Sequence, residues 1–260
     1  MLKKRIIANI SISDGIVVQS FGFKKKLPLG KVEAFVKNLD RWMVDEIIIN
    51  DFSRSKKNQN PNFEMIKQIG SIKKNTPITY SGGITNADEA ARIINYGFER
   101  IAIDSLYIKN PNEIKSIAEK IGSQAIIVSI PLKIYRGKLY HYNHVDKISE
   151  QLNFGKLDSY GNYFSELMLI DYLNEGNKNS FNYQIIEEFC KKNKKLKIIP
   201  FGGISENKQV YKIINSKQVT ALCIGNFLNY IENSYQLYKE FLTNKKIKNI
   251  RPASYKKNFI

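Results

Sequence analysis

The sequence predicts an α/β protein built as a single barrel of eight β/α repeats. Three observations predict this fold. The chain has 260 residues, of which 43% are apolar, and this is the usual size of one eight-fold barrel with a full core. Short apolar runs recur at intervals that leave room for a helix between them. Two turns with the same Gly-Gly-Ile sequence, at 82–84 and 202–204, lie 120 residues apart, which indicates a (β/α)8 TIM barrel with an internal two-fold half-barrel repeat.

Eight strand-like segments account for the barrel. Most are continuous apolar stretches, as parallel strands covered on both faces should be. They span, in chain order, 5–12, 46–51, 77–80, 100–103, 125–130, 166–170, 197–201 and 220–224. Between them, segments 86–96 and 112–121 show helical apolar spacing, and the first has acidic residues in its first turn, which favours a helix N-terminus. These helices are expected to form the outer ring.

The domain prediction is one barrel over 1–260, with half-barrels at about 1–121 and 122–250 and a C-terminal tail at 251–260. No apolar run is long enough to span a membrane, and the first residues lack the apolar core of a secretory signal, so we expect a cytoplasmic protein. Cys190 and Cys223 lie in a predicted helix and a predicted strand without a neighbouring cysteine, which favours buried free thiols.

The chain is strongly basic. It has 41 Lys and Arg against 24 Asp and Glu, and the formal charge of +17 would attract phosphates, RNA or an acidic partner. The lysines fall in short clusters at 24–26, 56–57, 191–195 and 245–246, without a recognisable nucleic-acid module. These clusters are therefore interpreted as solvated surface, and no nucleic-acid partner is predicted. Cluster 24–26 lies in a long loop, where it either clamps a phosphate or forms a solvated tip.

The C-terminal ends of barrel strands carry the chemistry, because their loops converge on one mouth. Two of these loops are long enough to close over a ligand: 13–30, which is basic and contains glycine, and 132–153, in which 135–140 predicts a small hairpin. Both Gly-Gly-Ile turns follow an apolar strand and open a helix, so their bare backbone N–H groups favour an anion such as phosphate. Two such turns predict a doubly phosphorylated ligand.

Within this frame the chain resembles the cyclase subunit of imidazole glycerol phosphate synthase, HisF, over most of its length. The resemblance is most specific in segments that keep the family's order and spacing, which are 4–8, 14–15, 81–84, 108–111, 122–125 and 202–204. It implies two phosphate sites, each made by a glycine turn and the end of the next strand. The implied residues are Gly82, Gly83, Asp104 and Ser105 for the first site, and Gly202, Gly203, Gly225 and Asn226 for the second. Asp104 departs from the family, which typically has an uncharged amide there.

The family uses two aspartates as general acid and base, and this chain has neither. Counted from the neighbouring motifs, their positions fall on Ser11 and on Pro131, which has no titratable group. Gln19 stands where the family usually carries a phosphate-binding lysine, and segment 171–176 is only loosely similar to the family's acidic loop. The resemblance therefore implies a divergent paralogue whose residues at the barrel mouth differ from those of the family.

Three carboxylates that follow strands are the candidates for replacing the lost acids: Asp14, Asp51 and Asp171. Asp14 is also consistent with a simple turn, and Asp51 with a loop cap. His141 and His144 lie in the long loop 132–153 and could transfer protons at neutral pH if that loop reaches the mouth. Without a third ligand they predict no metal site, and no cofactor is expected.

Four charged residues begin the first, second, fourth and sixth strands, at the opposite end of the barrel: Arg5, Glu46, Arg100 and Glu166. Inward-pointing charges at a barrel floor are costly unless they pair. In the family the corresponding ring gates a channel that carries ammonia from a glutaminase to the mouth, and all four charge signs match. The alternatives are an ionic plug that only closes the floor, or side chains that point outward.

The resemblance implies a HisF-like subunit that pairs with a HisH-like glutaminase at the N-terminal face of the barrel and conducts ammonia to an acceptor. Divergent relatives of this type occur with amidotransferases that convert an acetamido group of a surface-polysaccharide sugar to an amidine, so a third protein is a further expected partner. Two alternatives stay open. One is a genuine cyclase of histidine biosynthesis with other acid and base residues, and the other is a noncatalytic module that binds a phosphorylated small molecule.

Overall fold

Twelve strands and ten α-helices make up the part of the chain that the computed structural model describes, which is residues 3–144, 146–231, 233–247 and 249–252. The strands are β1 (Arg5–Ser13), β2 (Ile16–Phe21), β3 (Lys25–Gly30), β4 (Glu46–Asp51), β5 (Ile78–Ser81), β6 (Arg100–Ile103), β7 (Ile126–Tyr135), β8 (Lys138–Asn143), β9 (Ile148–Gln151), β10 (Glu166–Asp171), β11 (Ile198–Phe201) and β12 (Ala221–Ile224). The helices are α1 (Val32–Arg41), α2 (Phe52–Lys56), α3 (Phe63–Gly70), α4 (Ala87–Asn95), α5 (Ser105–Lys109), α6 (Asn112–Ile121), α7 (Phe154–Tyr160), α8 (Gln184–Lys192), α9 (Asn207–Ile214) and α10 (Ser234–Asn244). Of the predicted tail 251–260, residues 253–260 lie outside the described ranges.

Eight of the strands pair in parallel and close into a barrel. β1 is followed around the barrel by β4, β5, β6, β7, β10, β11 and β12, and β12 pairs with β1 again. The single (β/α)8 barrel is therefore confirmed. The ends of the eight predicted strands agree with the structure to within one residue, except that β7 continues to Tyr135 because its second half pairs with β8.

Apolar side chains are buried on both faces of the barrel strands. The cluster inside the barrel includes Ile7, Ile48, Ala102, Ile127, Met168, Ile199, Ala221 and Cys223. The outward faces of the same strands belong to a larger cluster shared with the helices. Burial on two sides explains why these strands have continuous apolar sequences instead of alternating ones. Cys190 and Cys223 are free thiols, and Cys223 is fully buried whereas Cys190 is half-buried.

The helices cover the barrel with amphipathic faces. α4 begins after Asn86, whose side chain accepts a hydrogen bond of 2.9 Å from the backbone N–H of Glu89, and its apolar face buries Ile93. The helices predicted at 86–96 and 112–121 are confirmed as α4 and α6. No helix in the described part of the chain is both long and apolar enough to cross a membrane.

Both long loops contain antiparallel hairpins. Segment 13–30 holds β2 and β3, and Asp14 and Gly15 turn the chain into β2 with positive φ angles of 56° and 83°. The sequence analysis did not predict these two strands, and β3 is exposed and contains two lysines and a proline. The hairpin predicted at 135–140 is confirmed as the β7–β8 pair, and β9 adds a third strand to it.

The two Gly-Gly-Ile turns share one backbone shape and one packing arrangement. Gly82 and Gly202 have φ angles of 136° and 103°, which residues with a side chain rarely adopt. A Cβ atom at these positions would lie 2.4 Å from the carbonyl oxygen of Asp51 and 2.5 Å from that of Asp171, respectively. Both pairs of residues are related by the same 120-residue spacing. This is the equivalence that a duplicated half-barrel predicts, and the half-barrel boundaries stay a prediction.

Candidate functional site

The four charges that begin barrel strands meet at the floor in a closed ring. Arg5 lies 2.7 Å from Glu166 and 3.4 Å from Glu46, measured between nitrogen and oxygen atoms. Arg100 completes the ring at 2.8 Å from Glu166 and 3.4 Å from Glu46. All four side chains therefore point inward, and each arginine bridges both glutamates.

Hydroxyl groups and opposite charges surround the carboxylates of this ring. The hydroxyl of Thr79 donates a 2.8 Å hydrogen bond to Glu46, and the hydroxyl of Thr220 donates one to Glu166. Burial alone would raise the pKa of Glu166, but the two arginines outweigh burial and lower it. Burial likewise would lower the pKa of Arg5, and the glutamates raise it. The floor is thus a charged but internally neutralised layer.

Apolar side chains fill the barrel between the floor and the mouth. Alanines and a cysteine, Ala102, Ala221 and Cys223, contribute to this layer together with larger aliphatic residues. An apolar interior disfavours the passage of ions far more than that of small neutral molecules. The interior of the barrel is therefore unfavourable for a bare ion.

The mouth of the barrel contains a cavity of about 540 Å³, which is within the usual size range of ligand pockets. The residues that line the cavity from the barrel strands include Asn9 of β1, Asn50 of β4, Ser129 of β7 and Met168 of β10. The β2–β3 hairpin, α2 and the β8–β9 turn form its rim. Both loops that the sequence predicted as lids therefore reach the mouth.

The first glycine turn lies on the wall of this cavity. Gly82, Gly83, Asp104 and Ser105 all line it, so the structure brings the predicted first phosphate site together. The backbone N–H of Gly83 already donates to the hydroxyl of Ser55 at 3.2 Å. A ligand at this turn would share its donors with that hydroxyl.

The second glycine turn is covered by protein. Gly202, Gly203, Gly225 and Asn226 border a cavity of only about 10 Å³, which holds one water molecule at most. The Asn226 side chain accepts from the backbone N–H of Ser20 at 3.3 Å and donates to its carbonyl oxygen at 2.7 Å. The β2–β3 hairpin therefore occupies the approach to this turn. In this conformation the cavity that the second turn borders is too small for a phosphate, whereas the cavity at the first turn is not.

A buried carboxylate holds the hairpin down. Glu175 accepts hydrogen bonds from the hydroxyl of Ser20 at 3.0 Å and from the backbone N–H of Phe23 at 3.1 Å. Burial raises the pKa of Glu175 to about 7. Phe23 has a positive φ of 54° at the hairpin tip, an uncommon conformation for a residue with a side chain. Sequence reasoning did not single out Glu175, because its partners are more than 150 residues away along the chain.

The three carboxylates proposed as replacement acids do not line the mouth cavity. Asp14 is exposed and forms an ion pair with Lys57. Asp51 accepts from the hydroxyl of Ser53 at 2.8 Å, and Asp171 accepts from the Asn174 side chain at 2.8 Å. Burial is the largest influence on both of these aspartates and raises their pKa. They lie behind the glycine turns and support them.

An aspartate–histidine pair does lie at the mouth. The β8–β9 turn brings His144 to the cavity wall, and its Nδ1 lies 3.2 Å from Oδ2 of Asp104. Burial lowers the pKa of His144, but the charge and hydrogen bond of Asp104 outweigh it and the pKa is raised. Oδ1 of Asp104 is buried without a hydrogen-bond partner among the described residues. His141 does not line the cavity, and burial lowers its pKa.

Comparison with known proteins decides the family. The model of the family described as histidine biosynthesis protein matches residues 5–233. The chain belongs to this family. The ring at the floor of this chain contains all four charged residues that the resemblance implies. Ser11 and Pro131 occupy the positions that the resemblance assigns to the catalytic aspartates. Ser11 accepts a 2.9 Å hydrogen bond from the side chain of Asn9.

Curated relatives match nearly the whole chain at low identity. A protein of Vibrio vulnificus (strain YJ016) named "Putative imidazole glycerol phosphate synthase subunit hisF2" is 29% identical over 259 residues, which covers 98% of this chain and 93% of the relative. The imidazole glycerol phosphate synthase subunit HisF of Staphylococcus carnosus (strain TM300) is 24% identical over 249 residues, which covers 94% of this chain and 97% of the relative. Such values are consistent with a divergent HisF-like member of the histidine biosynthesis family. Among the described residues, no group of three His, Cys, Asp or Glu side chains is placed to hold a metal ion.

Proposed function

We propose that this protein is the HisF-like subunit of a glutamine amidotransferase complex. It receives ammonia from a HisH-like glutaminase at the floor and passes it through the barrel to an acceptor at the mouth. The observation that carries the proposal is the closed ring of Arg5, Glu46, Arg100 and Glu166 beneath an apolar interior, in a chain that lacks both family aspartates.

The ring has the features that an ammonia gate requires. Each arginine of the ring is paired with both glutamates, so bulk water and ions meet a closed layer while the complex is idle. Nε of Arg100 is buried without a hydrogen-bond partner among the described residues, and such an N–H group can donate to the lone pair of a passing ammonia. Opening needs only a side-chain movement that separates one arginine from one glutamate.

The acceptor is proposed to differ from the substrate of the ordinary cyclase. Asp104 is the only carboxylate among the described residues that line the mouth cavity, and it is paired with His144. Losing a general acid or base typically lowers a rate about 10²–10⁴-fold. An acetamido sugar converted to an amidine, with a third protein supplying activation, fits a barrel that delivers ammonia and leaves the chemistry to its partner.

The ordinary cyclase is the second candidate, because curated relatives are named as subunits of imidazole glycerol phosphate synthase. Single-turnover cyclisation of the family's doubly phosphorylated precursor with saturating ammonium separates the two, since it bypasses the glutaminase. We expect no product at an enzymatic rate, and product at such a rate would refute the proposal. A matched variant, Ser11→Asp with Pro131→Asp, shows whether the missing acids alone account for the loss.

Complex formation tests the other half of the proposal. A HisH-like glutaminase from the same organism should bind the chain in analytical ultracentrifugation, and its glutamine hydrolysis should rise in the complex. The absence of any complex would favour a noncatalytic module that binds a phosphorylated small molecule. The variant Lys115→Gln, which removes one exposed charge from α6, should bind the glutaminase as the wild type does, and this comparison checks for unspecific charge effects.

A further inference from the structure

Three separate loops bring lysines to the mouth. Lys24 follows the tip of the β2–β3 hairpin, Lys56 ends α2, and Lys147 lies in the β8–β9 turn, and all three line the 540 Å³ cavity. Lys26 lies beside them on β3, with its Nζ 5.2 Å from the centre of the Phe52 ring, which also lines the cavity. These residues come from three segments that are more than 25 residues apart in the sequence, so only the fold reveals that they converge.

Two of the converging lysines, Lys26 and Lys56, donate hydrogen bonds to neutral groups. Among the described residues, none of the four forms an ion pair. Nζ of Lys56 donates to the carbonyl oxygen of Phe23 at 3.2 Å, and Nζ of Lys26 donates to the hydroxyl of Ser13 at 2.6 Å. These bonds position the ammonium groups without neutralising them.

Lys56 lines the cavity together with Lys24 and Lys147, and the charges of neighbouring lysines act on it. Burial lowers the pKa of Lys56, and the charges of Lys26, Lys147 and Lys24 lower it further. Repulsion of this kind destabilises the unliganded mouth, and an anion with several negative charges would relieve it.

Aromatic rings line two walls of the same cavity. Phe23 and Phe52 meet edge to face with ring centroids 5.5 Å apart, and Tyr142 stacks on Tyr172 with centroids 4.6 Å apart and planes 14° from parallel. All four residues line the cavity. Aromatic rings beside cationic groups suit a nucleobase or a sugar that is joined to phosphates.

We infer that the mouth binds a nucleoside diphosphate or its sugar derivative, with the diphosphate on Lys24, Lys26, Lys56 and Lys147 and the base or sugar on the aromatic walls. The first glycine turn lines the same cavity, whereas the second turn lies outside it. The inference rests on the proposed role of the mouth as the acceptor site, and it specifies the chemical class of the acceptor. A cavity of 540 Å³ has room for such a ligand.

The test is isothermal titration of the full chain with inorganic pyrophosphate and with ADP, CDP, GDP and UDP in low-salt buffer. Pyrophosphate and at least one nucleotide should bind, with the nucleotide tighter. The double variant Lys56→Gln/Lys147→Gln should lose at least about tenfold in affinity for both, because charge-assisted contacts are removed. Tyr172→Leu should weaken the nucleotide only. Added salt should weaken all of these ligands.

The matched control is Lys37→Gln/Lys115→Gln, which removes the same charge from exposed positions on α1 and α6. Equal losses in the control and in the mouth variant would show that the overall charge of +17 attracts anions unspecifically, and would overturn the inference. Failure of pyrophosphate and all four nucleotides to bind at millimolar concentration would also overturn it. Because no glutaminase is present, this result stands apart from the test of the ammonia gate at the floor.

Discussion

Replacing Glu175 by Gln should change how the stability of this protein depends on pH. The carboxylate is almost fully buried and holds the β2–β3 hairpin through Ser20 and Phe23. Its pKa in the folded protein is about 7, against an ordinary value of 4.5, so the folded chain keeps a proton that the unfolded chain releases. The glutamine side chain has the same shape and remains uncharged at every pH. The variant therefore isolates the ionisation of this one group.

The sign and size of the effect follow from linkage between proton binding and folding. Below about pH 4.5 both states bind the proton, and the contribution of Glu175 to stability is complete. Between about pH 4.5 and 7 the unfolded state loses its proton first, so the stability of the wild type falls as the pH rises. Above this window the loss is complete and amounts to about 3 kcal/mol at most. The Gln variant should lack this fall and be more stable than the wild type at pH 8.

Urea unfolding of both proteins between pH 5 and 8, followed by circular dichroism, measures the difference in unfolding free energy. Asp51 and Asp171 also have raised pKa values, but both proteins contain them and their effects cancel in the difference. Glu119→Gln, an exposed change on α6, is the matched control and should give a difference that does not vary with pH. A pH-independent difference for the Glu175 variant, or one that is larger at pH 5 than at pH 8, would refute the reasoning.

Three further predictions concern the mouth, the glycine turns and the floor. Asp104→Asn removes the charge that raises the pKa of His144, so NMR titration of the two histidines should show that pKa falling; an unchanged value would contradict the pairing. Gly202→Ala forces a Cβ to within 2.5 Å of a backbone carbonyl at a positive φ and should cost at least about 2 kcal/mol in urea unfolding, whereas Gly155→Ala, at a helical position, should be neutral or stabilising. Arg100→Met leaves two buried glutamates with one arginine and should cost about 3–5 kcal/mol, with Arg100→Lys as the control that retains the charge and most of the stability.

Features governed by local sequence could be predicted without the structure. The eight barrel strands follow from apolar runs, because parallel strands buried on both faces leave an unbroken signal in the sequence. The floor ring followed from position, since the first residues of parallel strands share one end of a barrel. Arg5 and Glu166 are 161 residues apart, yet their places at strand starts were enough to predict that they meet.

Features that depend on contacts between loops could not be predicted. The sequence has the same Gly-Gly-Ile turn at 82–84 and at 202–204. Nothing in the neighbouring sequence reveals that Asn226 forms hydrogen bonds with Ser20 and that the second turn is covered. The same holds for the pair of Asp104 and His144, which joins the end of one strand to a turn about 40 residues later. Loops have weak periodicity and their side chains choose partners by geometry, so sequence patterns limit them little.

The covered second turn bears directly on what the mouth can accept. A ligand anchored by phosphates at both turns would have to displace the β2–β3 hairpin, and with it the two hydrogen bonds between Asn226 and Ser20 and the two that Glu175 accepts. At about 0.5–1.5 kcal/mol for each hydrogen bond, that displacement would cost several kcal/mol of binding energy. The ring at the floor is made of four paired charges, and the β2–β3 hairpin does not have to move for it to form. The proposed ammonia supply at the floor therefore does not depend on a ligand that is anchored at both turns.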